Sequence, residues 1–90
     1  MSGRTIIYDK SFDAGVILLG GYLLLYPVID AVVDGLRGNP YAFPKFENDF
    51  ISFRYAHTAR TRELPPLVII FSIRKDGSVT LETIEEDDSY

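Results

Sequence analysis

Leu64-Pro65-Pro66-Leu67-Val68-Ile69-Ile70-Phe71-Ser72-Ile73-Arg74-Lys75-Asp76-Gly77-Ser78-Val79-Thr80-Leu81 decides the fold. Neither proline can donate to a strand ladder, so pairing is interrupted before Leu67. Leu67 to Ile73 is then apolar on both parities, the pattern of a strand in the middle of a sheet. Asp76-Gly77 supplies the turn of a tight hairpin. Ser78 to Ile84 is the strand that returns and pairs. Upstream, Phe50 to about Arg60 alternates, with Ile51, Phe53 and Tyr55 on one side and Ser52, Arg54 and Ala56 on the other.

Further out, Arg4-Thr5-Ile6-Ile7-Tyr8 is β-branched and aromatic, a short first strand. Ser11 is an expected N-cap, and Asp13 suits the positive end of a helix dipole. A helix from about Phe12 to Leu24 follows. Gly15, Gly20 and Gly21 weaken it, and either close helix packing or a break near Gly20 would account for them. Pro27 is expected in the first turn of a second helix running to about Arg37. Val28, Ile29, Val32, Val33 and Leu36 form its apolar face. Gly38 and Asn39-Pro40 stop it. Tyr41 to Asn48 reads as a loop pinned by Tyr41, Phe43 and Phe46.

The order β-α-α-β-β-β gives a two-layer α+β fold. A four-stranded, mostly antiparallel sheet carries a helical hairpin on one face, and both layers bury their apolar sides. The second strand is expected to run antiparallel to the first. Ninety residues make one domain, read as 1–84, with an acidic tail over 85–90. The apolar run Val16 to Ile29 spans fourteen residues, short of the roughly 20 that a membrane-crossing helix needs. The run Val16 to Ile29 is read as a buried helix, and the expectation is a cytoplasmic protein without a membrane partner. The chain has no cysteine, which excludes disulfides, thiolate metal sites and thiol nucleophiles.

The net charge of −4 is unevenly placed. The last nine residues hold five of the thirteen acids; the other eight face nine bases over residues 1–81. Arg54, His57, Arg60 and Arg62 cluster in one segment. If that strand continued unbroken to Arg62, the three arginines would project from one face over roughly 26 Å, a spacing suited to a polyanion groove. A solvated face, or pairing with acids of the tail, is the plainer alternative. His57 shares parity with the apolar row and is either a hydrogen-bonded edge residue or a proton-transfer group. No carboxylate stands at a spacing that would orient it. Asp30 and Asp34 read as a solvated face, and neither a metal site nor a cofactor motif is visible. The tail has three readings: solubilising, folded back over the arginines, or completing the last strand and docking a partner.

The chain resembles the RelE/ParE superfamily of bacterial toxins. The likeness rests on Tyr8-Asp9, the Phe-containing helix start, Leu36-Arg37-Gly38-Asn39-Pro40, Phe53-Arg54, the Leu64 to Ile73 stretch, and a strand ending near Ile84. It implies a toxin-like component bound by a cognate antitoxin, with a homodimer allowed. The RelE branch implies a ribosome-dependent, metal-independent mRNA endonuclease, with the ribosome and mRNA as partners. Arg54, Arg60 and Arg62 would then hold phosphate, His57 would move the proton at the 2′-OH, and Tyr90 would assist. The competing reading is a non-catalytic protein-interaction module on the same fold, either a ParE-like toxin that binds DNA gyrase or an inactive relative. Two departures favour the competing reading. The central strand lacks the arginine common near its start in RelE-like nucleases, and the last strand leads into acids where a base followed by tyrosine is usual.

Overall fold

The computed structural model describes residues 4–46 and 52–88. The elements are β1 (Ile6–Tyr8), α1 (Lys10–Leu18), α2 (Tyr22–Gly38), a 3-10 turn (Pro40–Ala42), β2 (Phe53–His57), β3 (Leu67–Ile73) and β4 (Val79–Glu86). The fold is α+β, and the sheet order is β1-β4-β3-β2. β3 pairs antiparallel with both β2 and β4, while β1 pairs parallel with β4. The expected antiparallel relation of the second strand to the first is corrected: they lie on opposite edges and run the same way. The β3–β4 hairpin occupies the middle of the sheet, so β1 and β2 are left with its two outer sides.

The central-strand reading of Leu67–Ile73 holds. Leu67, Ile69 and Phe71 are fully buried against α1 and α2, whose Phe12, Val16, Leu25, Ile29, Val33 and Leu36 complete the core. Hairpin geometry follows the Asp-Gly signal. Gly77 has φ +90, its N–H donates to Arg74 O at 2.9 Å, and Asp76 Oδ1 accepts from Ser78 N and Oγ at 2.9 and 2.6 Å. On β4 the register shifts opposite Ile70 and Phe71, so that Thr83 faces Ile70 but Leu81 faces Phe71. The residue passed over is Glu82, which turns to the open face and accepts from Ser72 Oγ at 2.7 Å. This one-residue bulge lets Leu81 and Ile84 both reach the core although their spacing is odd.

The helices differ from expectation in their bounds. Asp9, rather than Ser11, caps α1, accepting from Ser11 N at 3.0 Å. α1 ends at Leu18 because Gly20 and Gly21 take positive φ values of 127 and 98. Gly21 N donates to Val16 O and Gly20 N to Ile17 O, the two bonds of a Schellman closure. α2 therefore begins at Tyr22, and Pro27 sits inside it. The carbonyl that Pro27 leaves unanswered belongs to Leu23, a residue 96 % exposed, where water can serve it. Gly15 is explained by packing: a Cβ there would stand 2.6 Å from Ile84 O. In the segment after α2, only Phe43 is tucked in, its ring edge-on to Phe71 at 5.6 Å, while Tyr41 and Phe46 are exposed.

Candidate functional site

β2 ends at His57, so the arginines do not form a row. The ladder stops where its partner strand would have to supply Pro66 and Pro65. Thr58 N and Oγ1 close onto Leu67 O, and Thr61 exchanges bonds with Leu64, folding the segment 58–64 into a turn. Arg60 and Arg62 are exposed on that turn. Arg54 shares parity with the buried Ala56 and turns toward the helix-bearing side. Its Nη1 donates to Tyr41 O at 3.2 Å and Phe43 O at 2.7 Å. The expectation of guanidinium groups displayed together on the open face is thus overturned. Parity was the reason for grouping them, and parity lapses when the strand stops. Tyr90 and Ile51 lie outside the described residues.

The open face carries different chemistry. A groove of about 580 Å³ is lined by Phe46, Tyr55, Val68 and Ile70, with Lys45, His57, Glu85 and Asp87 at its margins. His57 Nδ1 lies 2.8 Å from Asp87 Oδ2, a hydrogen bond that becomes an ion pair when the imidazole is protonated. The imidazole also stands edge-on to Tyr55, with centroids 5.1 Å apart. A carboxylate does therefore orient His57, and sequence spacing missed it because the partner is 30 residues away. β4 runs two residues past Ile84, and Asp87 N then donates to Pro66 O at 2.9 Å. The first acids of the tail are thus sheet, and Asp87 reaches the histidine rather than the arginines. Engagement at Nδ1 leaves Nε2 as the nitrogen able to carry a proton elsewhere. Among the described residues, no group of three His, Asp or Glu side chains is placed to hold a metal ion.

A second concavity lies between α2 and the β2 end, about 470 Å³ in volume. Pro27, Val28, Ala31 and Val32 form one wall, and Phe43, Ala56 and Ala59 the other. Its small alanines leave it open to an inserted side chain. The α2 wall continues by helical spacing into Leu24 and then onto the turn between the helices. There Ile17, Leu18, Leu23 and Tyr26 are 70, 86, 96 and 61 % exposed. Between Ala14 and Ile29 there is no charged residue. The sequence reading took this run as buried helix; half of it is bare. Among the described residues, no helix is long and apolar enough to cross a membrane.

The chain matches no known family model, no curated protein and no solved structure.

Proposed function

We propose that this chain is the toxin-like member of a toxin–antitoxin pair and acts as a non-catalytic protein-binding module. One observation carries the reading: Leu18, Leu23 and Leu24 are exposed at the helix turn, and the α2 residues Pro27, Val28, Ala31 and Val32 that follow them wall an apolar groove. Isolated exposed apolar residues are ordinary, but a contiguous strip with a groove at one end marks a contact surface. Its apolar walls and small alanines suit an amphipathic helix of an antitoxin, anchored by residues one turn apart. Purification of the chain with the product of the adjoining reading frame tests this. A stable complex is expected, weakened at least tenfold by Leu23→Glu or Ala31→Glu while the circular dichroism spectrum is unchanged. Undiminished binding by both variants, or no complex, refutes the reading. Expression alone, with growth, translation and DNA supercoiling followed, then distinguishes ribosome from gyrase as the target.

The His57–Asp87 pair favours a second reading, metal-independent RNA cleavage. His57 Nε2 would accept the 2′-OH proton, that oxygen would attack the adjacent phosphorus, the P–O5′ bond would break with the 5′-oxygen leaving and taking a proton from water, and Arg60 and Arg62 would steady the phosphate. Glu85 and Asp87 oppose it by repelling phosphate at the groove margin. Translation arrest lost in His57→Ala and in Asp87→Asn, with both proteins folded, would support cleavage; arrest retained in both rejects it.

A further inference from the structure

We propose that Arg4, Tyr41 and Arg54 form a binding site for a phosphate oxyanion at the β3–β4 hairpin end of the sheet. Arg4 precedes β1 and Arg54 lies in β2, so the two come from opposite edges. Both nonetheless converge on one aromatic ring: the guanidinium carbons stand 5.7 and 5.5 Å from the Tyr41 centroid. Tyr41 is 53 % exposed, and Arg4 and Arg54 are both half-buried beside it.

Three observations point beyond a loop staple. First, the staple occupies only part of each fork. Arg4 Nη1 donates to Gly77 O at 3.2 Å, and Arg54 Nη1 serves the carbonyls of Tyr41 and Phe43. A guanidinium has five N–H donors, so each arginine keeps terminal N–H groups beyond those that bond the backbone. Second, neither arginine makes an ion pair among the described residues, in a chain with thirteen acids against nine bases. Third, the neighbouring hairpin adds positive charge around a hollow of about 480 Å³ lined by Arg74, Lys75 and Asp76. Hydrogen bonds from Ser78 hold the Asp76 carboxyl below the usual carboxylate range and so ionised, which leaves the hairpin one net positive charge from Arg74 and Lys75. Gly77 leaves room for the contact, since a Cβ would lie 3.2 Å from Arg4 Nη1.

Distance protects the site from the tail. The hairpin joins β4 at Val79; Glu82 is bound to Ser72 on the open face, and the other four acids of the last nine residues follow Ile84 at the far end. Five or more residues of strand separate them by roughly 17 Å or more at about 3.3 Å per residue. That is about twice the Debye length of about 8 Å at physiological ionic strength. Two planar forks fit a tetrahedral phosphate, which offers oxygens to both, better than a single carboxylate. The occupant is either free phosphate or the phosphodiester of a single strand, whose bases could also use the exposed ring.

Amide NMR titrations with inorganic phosphate and with single-stranded hexauridylate at low salt decide the matter. Saturable shifts at Tyr41, Arg54 and Gly77 are expected with at least one probe. Arg4→Gln should weaken binding at least tenfold. Arg54→Lys, which keeps the charge but not the fork, should weaken it severalfold. Hexauridylate binding tenfold tighter than phosphate assigns the site to a phosphodiester; equal or weaker binding assigns it to the free anion. No saturable shift with either probe overturns the proposal. So does an equal loss in an Arg60→Gln/Arg62→Gln variant, which would mark the binding as diffuse surface charge. The helix-turn surface is untouched by these substitutions, so the outcome is independent of partner binding.

Discussion

Phe12, Val16 and Leu25 are sealed, while Ile17, Leu18, Leu23 and Tyr26, apolar neighbours on the same two helices and their turn, are bare. Phe12 and Val16, one helical turn apart, have no exposed surface, while Leu18 and Leu23 have almost nothing else. Both groups would contribute comparably to any hydropathy profile. What separates them is the sheet: β4 lies under one side of α1, and among the described residues nothing lies over the turn between the helices. Apolar content alone therefore does not distinguish a core from an interface.

The largest expected effect comes from breaking the sealed side. Phe12→Ala should remove about 3–5 kcal/mol, enough to leave a domain of this size largely unfolded at 37 °C; denaturant melts would measure it. Gly15→Ala tests the same contact by overpacking. The added Cβ meets the Ile84 carbonyl, and a loss of about 1–3 kcal/mol is expected. A loss below about 0.5 kcal/mol would mean that α1 lifts off β4 easily. On the bare side, Leu18→Glu and Leu23→Glu should shift stability by less than about 0.5 kcal/mol while impairing partner binding. A large destabilisation there would show that the turn is core after all.

The smallest effect sharpens the boundary between the two regions. Tyr22 donates its hydroxyl proton to Asp13, tying the start of α2 to α1. Partial burial, then the hydrogen bond and charge of Asp13, raise the Tyr22 pKa well above its ordinary value. Folding thus favours the neutral phenol. Its contribution is fully present below about pH 10, the unfolded value, and is lost as pH rises through the folded pKa. Wild type should lose stability above pH 10 more steeply than Tyr22→Phe, as followed by melting temperature against pH. Parallel curves would show that the Tyr22–Asp13 contact contributes nothing.

Much of the fold was legible because its signals are local. Asp76-Gly77 fixes a turn within four residues, Asn39-Pro40 ends α2 where it stands, and the two-sided apolar pattern of Leu67–Ile73 places that strand inside. The helix bounds were less legible, since Gly20-Gly21 is compatible with packing or a break until the closing bonds are seen. The candidate site was least legible. The arginine grouping depended on a strand continuing past His57, and Pro65-Pro66, just before the adjacent β3, denied it partners.

By itself the sequence determined the class of fold, the central hairpin and the accumulation of acid after Ile84, because each is encoded by neighbours along the chain. Only tertiary structure decided that β1 and β2 take opposite edges, that Arg54 faces the helices, that Asp87 meets His57, and that Arg4 and Arg54 share Tyr41. Those outcomes join residues tens of positions apart, and one extra residue in β4 reverses which side chains face the core. No local pattern fixes such pairings, since they arise from how two edges and a bulge close around a common core.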